Sequence, residues 1–273
     1  MLDIYRERLN SINLELTNRC NYSCIMCYRQ NSKFNEQDMN YIDAHKYIDE
    51  LKEIEFLIKN IYFHWRGEPT LSKDLVPVIA YTRIKFVNAN LILFTNGSNL
   101  NDKIIEELLQ SGIDTICISI DSIDVNNYKY IRGGNINKVL KNFIELMNKI
   151  DSFSGKKPKV IVNTVVIDEN LGSLKKIEDY FSAYNVDVNF RMDSNRSKKI
   201  NKDGCYNLGK SLYISSSGNV IPCCMDVDED LILGNLNDNS IEDILNNNMI
   251  NSILMGTQRE IEPFDICKKC IQK

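Results

Sequence analysis

No apolar run in this chain approaches the roughly 20 residues needed to cross a bilayer, and the first ten residues, MLDIYRERLN, are charged and hold no apolar core of signal-peptide length. Both absences lead to the expectation of a cytoplasmic protein. An excess of positive charge is also missing: the net charge is −4, and the lysine pairs Lys156/Lys157, Lys175/Lys176, Lys198/Lys199 and Lys268/Lys269 are scattered. That pattern suits solvated faces and argues against a broad footprint for nucleic acid. Long linkers, low-complexity tracts and internal repeats beyond a βα rhythm are absent. The two histidines, His45 and His64, have no ligand or base partner in sequence, so core or surface roles are expected for both.

What is present is cysteine. Nine cysteines in 273 residues, most of them closely spaced, are better explained in a reducing compartment by metal than by disulfides, and an odd total leaves at least one free thiol. Cys20, Cys24 and Cys27 follow the order C-x3-C-x2-C, with no fourth cysteine until Cys117. Iron clusters and structural zinc are normally held by four protein ligands, so a trio implies one coordination position open to something that is not protein. Such a trio can hold three irons of a [4Fe-4S] cluster and leave the fourth for an amino and carboxylate chelate. A structural zinc borrowing a distant fourth ligand is the alternative.

Short β-rich runs, SINLEL (11 to 16), NIYFHW (60 to 65), LILF (91 to 94), TICISI (115 to 120), KVIVNTVVI (159 to 167) and VDVNF (186 to 190), alternate with helix-like stretches. The stretches lie near 40 to 58, 73 to 86, 101 to 111, 136 to 150 and 173 to 183, with Asn, Asp or Ser at their starts for capping. A parallel sheet is expected. The unusual residues all follow strands: Cys20, Arg66-Gly67-Glu68-Pro69, Thr95-Asn96-Gly97, Asp121 and Arg191-Met192-Asp193. Convergence at the carboxyl ends of five strands favours an α/β fold of the partial (β/α)6, TIM-like barrel type over an open doubly wound sheet. After residue 200 the pattern changes to Cys205, a hairpin SLYISSSGNVIP turning at Ser217-Gly218-Asn219, Cys223-Cys224, a helix near 240 to 253 and Cys267-x2-Cys270. We therefore expect a barrel domain over 1 to 200 and a small metal-stapled module over 201 to 273.

The trio after the first strand, together with Gly67-Glu68-Pro69, Thr95-Asn96-Gly97, Ser119-x-Asp121 and the carboxyl-terminal cysteines, resembles the radical S-adenosylmethionine (SAM) superfamily over essentially the whole chain from residue 11. The resemblance implies a [4Fe-4S] cluster on Cys20, Cys24 and Cys27 whose unique iron binds the amino and carboxylate groups of SAM. One electron from the reduced cluster would cleave SAM to methionine and a 5′-deoxyadenosyl radical, which abstracts hydrogen from substrate. Arg66-Gly67-Glu68-Pro69 resembles the family's glycine-glycine-glutamate turn, with Arg66 in place of the first glycine. The resemblance also implies SAM-facing roles for Met26, Gly67, Glu68, Pro69, Asn96, Ser119, Asp121 and Arg132, Arg132 pairing with the SAM carboxylate. Cys205, Cys223, Cys267 and Cys270 resemble the ligands of a second [4Fe-4S] cluster in a SPASM or twitch extension, for which zinc is the alternative.

Cys224 remains beside Cys223, and Cys117 sits in an apolar strand as an expected core residue. Cys224 reads as a buried thiol, a competing ligand, or the hydrogen donor that a cysteine at this place is in some related peptide epimerases. Arg191 and Asp193 are candidate substrate contacts, with ion pairing or capping as the alternatives. The first functional expectation is an oxidoreductase acting on a sugar, aminocyclitol or other small polar molecule, since no leader-peptide-binding domain precedes the barrel and the compactness resembles twitch-type aminocyclitol dehydrogenases. The second is a maturase or epimerase of a ribosomally made peptide. The third, from another class, is a non-catalytic iron–sulfur or zinc protein. Expected partners are a small-molecule or peptide substrate and an electron donor such as flavodoxin or ferredoxin, with neither nucleic acid nor membrane.

Overall fold

Each of the six expected strands forms, and each runs parallel to the one before it. The computed structural model describes residues 3–192, 200–201 and 204–271. After a short helix α1 (Asp3–Arg8), the strands are β1 (Ser11–Leu14), β2 (Asn60–Phe63), β3 (Asn90–Thr95), β4 (Thr115–Ser119), β5 (Lys159–Val166) and β6 (Asp187–Met192). Between them lie α2 (Tyr41–Leu51), α3 (Leu75–Lys85), α4 (Asp102–Gln110), α5 (Val125–Arg132), α6 (Ile136–Ser152) and α7 (Leu174–Ser182). Pairing proceeds in sequence order from β1 to β6, with helical crossovers carrying the chain back between parallel strands. The result is an open sheet of mixed α/β type, consistent with a partial barrel.

Local signals account for the helix starts. Asn40, Asn101, Asp124 and Asn135 each accept a backbone N–H three residues on, removing an orphan donor from the first turn. Asp74 and Ser173 flank α3 and α7 without such a bond. The long helix expected to Ile58 ends at Leu51, and a 3-10 segment, Lys52–Leu57, carries the chain to β2 through a kink at Ile54. The additional helix α5 ends on Gly133, whose φ of 73° suits the left-handed position that glycine takes without steric cost.

The carboxyl-terminal segment extends the same sheet. Following β7 (Ile200–Asn201) and β8 (Gly204–Cys205), the expected hairpin forms as β9 (Ser211–Ile214) and β10 (Asn219–Ile221), with β11 (Gly234–Asn235) beside it. Strand β9 pairs in parallel with β1, Ser11 opposite Ser211 and Leu14 opposite Ile214, giving the order β11-β10-β9-β1-β2-β3-β4-β5-β6. The single helix expected near 240 to 253 is two, α8 (Ile241–Leu245) and α9 (Met249–Thr257), and Cys267 and Cys270 ride on a further helix, α10 (Asp265–Ile271). Among the described residues no helix is long and apolar enough to cross a membrane.

Candidate active site and auxiliary cysteine site

Cys20, Cys24 and Cys27 sit on the loop that leaves β1, and all three line one cavity of about 430 Å³ at the carboxyl ends of the strands. Asn18 anchors that loop: its Nδ2 donates to Asn35 O at 2.9 Å, its Oδ1 accepts from Gln37 N at 2.7 Å, and its own carbonyl accepts from Arg29 Nε at 3.1 Å. The Arg19–Asp38 ion pair at 2.6 Å closes the same loop from outside. Burial pushes the Cys20 thiol up and the Cys24 thiol up to about 11. A bound metal reverses that preference, because a coordinated thiol loses its proton outright.

Met26 lines the cavity from the cysteine loop itself; the other walls bring together Gly67, Glu68, Asn96, Ser119, Arg132 and Arg191 from the ends of β2 to β6 and the segments after them, and Cys224 from beyond β10. Gly67 packs directly against the main chain that leads into the cysteine loop. A Cβ there would stand 2.1 Å from Thr17 O and 2.7 Å from Arg19 O, so only glycine passes. Glu68 is buried and accepts from Thr70 N (3.2 Å), Thr70 Oγ1 and Thr95 Oγ1 (both 2.6 Å) and Asn96 N (2.7 Å). Desolvation raises its pKa despite those four bonds. The carboxylate thus fastens the β2 turn to the β3 turn. Asn96 is braced in turn by Asn21, its Nδ2 donating to Asn21 Oδ1 at 2.9 Å.

Two residues stand behind the wall. Pro69 is buried at the start of a short 3-10 turn. Asp121 is fully buried, and its Oδ2 accepts from Arg132 Nε at 2.6 Å while its Oδ1 accepts from Val165 N at 2.7 Å. Arg132 lines the cavity and Asp121 holds it there, so the two act as a pair. Asp193 lies outside the described residues.

Sequence patterns do not single out Trp65, Phe94 or Tyr22 as cavity residues, yet all three line it, and so does His64. The His64 ring lies 4.5 Å from that of Phe94, and Arg191 stands over Phe94 at 5.8 Å. Desolvation, with the Arg191 charge adding to it, lowers the His64 pKa to about 4, so the imidazole is neutral near pH 7. The signal that could have found His64 is its place at the end of β2, just before the Arg66-Gly67 turn.

A second cavity of about 280 Å³ is lined by Cys205, Cys223, Cys224, Cys267 and Cys270, together with Tyr213. Elements far apart in sequence meet here: β8 supplies Cys205, the end of the hairpin Cys223, and α10 Cys267 and Cys270. Burial pushes Cys267 up to about 12, and a hydrogen bond with Cys224, followed by burial, raises Cys223. Cys117 is buried on β4, apart from both cavities. Among the described residues no three His, Cys, Asp or Glu side chains converge tightly enough to hold a single ion. Cysteines gathered around a common space suit a cluster, which takes each thiolate on a different iron.

Residues 14–181 match the model of the radical SAM superfamily, and residues 205–271 match SPASM, an iron–sulfur cluster-binding domain. The chain belongs to the radical SAM superfamily and is an enzyme of that class, with SAM and iron–sulfur clusters as its cofactors. Among its relatives, the tungsten-containing aldehyde ferredoxin oxidoreductase cofactor-modifying protein of Pyrococcus furiosus is 30% identical over 179 residues, 64% of this chain and 49% of the relative. GTP 3′,8-cyclase of Clostridium botulinum is 27% identical over 226 residues, 81% of this chain and 68% of the relative. The chain therefore spans about half the length of the first of these and about two thirds of the second. Among solved structures, BtrN in complex with AdoMet and 2-DOIA shares the fold with a TM-score of 0.62 at 21% identity, covering 95% of this chain and 92% of BtrN. Native anSMEcpe with bound AdoMet does so at 0.70 and 16%, covering 94% and 88%.

Proposed function

We propose that this chain is a radical SAM oxidoreductase that removes hydrogen from a C–H bond of a sugar, aminocyclitol or other small polar substrate and passes the remaining electron to a second [4Fe-4S] cluster. The observation that carries the reading is the shared wall: Cys224 lines both the SAM-side cavity and the auxiliary cavity, and its neighbour Cys223 lines the latter. Cys224 is thus common to the walls of the two cavities between which the electron would pass. When bound, SAM and the reduced cluster supply the hydrogen-abstracting 5′-deoxyadenosyl group, and the second cluster supplies an electron acceptor.

The chain's own residues would do the rest. Cys20, Cys24 and Cys27 hold the first cluster, and Cys205, Cys223, Cys267 and Cys270 the second. The Gly67 backbone, Asn96, Ser119 and the Arg132–Asp121 pair orient SAM, and Met26 lies against it. Arg191, with neutral His64 and Phe94 beside it, faces the substrate. The cavity of about 430 Å³ falls within the roughly 300–1,000 Å³ typical of small-ligand sites. BtrN, which shares the fold, is described with 2-DOIA bound. The reading also places a barrel domain up to about residue 200, a module beyond it, a cytoplasmic location, and a donor such as flavodoxin or ferredoxin.

Cys224 on the substrate-cavity wall favours a second reading, a peptide maturase or epimerase, and SuiB of Streptococcus suis, also of this fold, is described bound to precursor peptide SuiA. Product mass separates the two. Oxidation yields a product two hydrogens lighter, whereas epimerisation leaves mass unchanged and takes up solvent deuterium. A turnover in deuterated buffer that incorporates one deuterium with no oxidation would reject the oxidoreductase.

A further inference from the structure

We propose that Arg66 is a positioning residue for the auxiliary site: it clamps the segment Cys223–Glu229 against the SAM cavity. The guanidinium is buried between two rings, Trp65 at 4.2 Å and Phe34 at 4.6 Å, the latter from the loop that follows the cysteine trio. Its anchor is Glu15, just after β1. Glu15 Oε1 accepts from Arg66 Nε at 2.9 Å and from Arg66 N at 3.1 Å, and Oε2 accepts from Nη2 and from Ser216 N. Held in that fork, Arg66 reaches across to the carboxyl-terminal segment, donating from Nη1 to Val227 O at 2.9 Å and pairing with Glu229 at 2.8 Å.

Neighbouring contacts fall on the same segment. Trp65 Nε1 donates to Cys224 O at 3.1 Å, and Lys33 N donates to Asp228 Oδ1 at 2.8 Å. Residues 224 to 229 are thus tied to the barrel at Cys224, Val227, Asp228 and Glu229, two of the four ties coming from Arg66 itself and a third from the residue stacked on it. Glu229 takes a left-handed backbone conformation, φ 61°, that few non-glycine residues adopt. Its carboxylate is held by Arg66 on one side and by Asn219 Nδ2 at 2.5 Å on the other. An arginine at this position therefore does what glycine there cannot. It makes the turn that lines the first cavity a support for the loop carrying Cys223 and Cys224, so one side chain supplies two of the four ties that hold the two cavities in register.

The clamp rests on the proposed function only in assigning Cys223 to a second cluster, and the test separates the two. Hydrogen exchange is measured by mass spectrometry on reconstituted holoprotein, comparing the parent with Arg66→Gln, Arg66→Lys and Glu229→Gln, alongside iron content and the EPR spectrum of the reduced protein. The expected result is exchange over residues 223 to 231 at least tenfold faster in R66Q and less so in E229Q, partly restored in R66K, with β4 and β5 unchanged. The EPR signal of the auxiliary cluster should shift in R66Q. Parent-like exchange over 223 to 231 in both R66Q and E229Q would overturn the clamp, and if R66Q fails to fold, parent-like exchange in the milder E229Q alone overturns it. Iron content reads the other assignment: a parent with only about four irons and bound zinc instead of about eight rejects the second cluster while the exchange result still decides the clamp.

Discussion

Replacing Gly67 by alanine tests how the cavity proposed to hold SAM is built. The added Cβ meets Thr17 O at 2.1 Å, Arg19 O at 2.7 Å and Thr17 C at 2.8 Å, all backbone atoms, so no side-chain rotation relieves the clash. Overpacking of this kind costs about 1–3 kcal/mol where side chains can yield, and here the upper figure applies because main chain must move. At roughly 2–4 °C per kcal/mol for a chain approaching this size, about 3 kcal/mol lowers the melting midpoint by about 6–12 °C. The displacement does not stay local. Arg19 O also accepts from Glu68 N at 2.8 Å and directly precedes Cys20, so the first of the proposed cluster ligands moves with it. About half of the strain appearing in SAM binding, near 1.4 kcal/mol, weakens affinity about tenfold. The assay is thermal melting of the apoprotein, with SAM titration of the reconstituted enzyme. Gly172→Ala serves as control, since nothing stands within 4 Å of the added carbon. A G67A variant that melts and binds SAM like G172A would show that the close approach of this turn to the cysteine loop does not shape the cavity.

Asp121→Asn leaves buried Arg132 without its carboxylate; breaking a buried pair costs about 3–5 kcal/mol, and both melting temperature and SAM affinity should fall. His64 has a folded pKa lowered to about 4 against an unfolded value near 6.5, so the unfolded chain binds the proton first. Stability is then fully present above pH 6.5 and is lost as pH falls towards 4, by up to about 3 kcal/mol. Denaturant melts at pH 7 and 4.5 should show a smaller pH dependence in His64→Gln, and an unchanged one would contradict the assignment. Cys117, whose pKa burial pushes up to about 11, should react with iodoacetamide at pH 8 about a hundredfold more slowly than an exposed thiol of pKa near 9, as followed by peptide mass spectrometry.

Much of this architecture is legible from local pattern. The alternation of short β-rich runs with amphipathic stretches expresses the parallel sheet, and placing Cys20, Gly67, Asn96 and Ser119 near strand ends is enough to gather them in one cavity. Partners separated by long stretches of chain are not legible. The pairing of β1 with β9 joins residues 200 apart through four-residue strands, and nothing in either strand names the other. Glu15 reads as the end of SINLEL, although its carboxylate anchors Arg66, and Arg66 reads as a variant glycine, although its side chain spans three segments. Asp121 and Arg132 both read as SAM contacts by resemblance, while their geometry ranks them, one lining the cavity and the other holding it from behind. For His64 the one sequence signal is its place just after β2, before the Arg66-Gly67 turn, and that signal is faint because the environment that tunes it comes from Phe94 and Arg191 on two other strands.

In the proposed reaction, substrate electrons leave through a second cluster on Cys205, Cys223, Cys267 and Cys270. The iron and acid-labile sulfide content of a chain in which Cys20, Cys24 and Cys27 are all alanine, reconstituted anaerobically and reduced, tests that route at its foundation. About four irons and four sulfides per chain are expected, with a [4Fe-4S] EPR signal that SAM leaves unchanged. Iron-free protein, or zinc bound in place of iron, would contradict it.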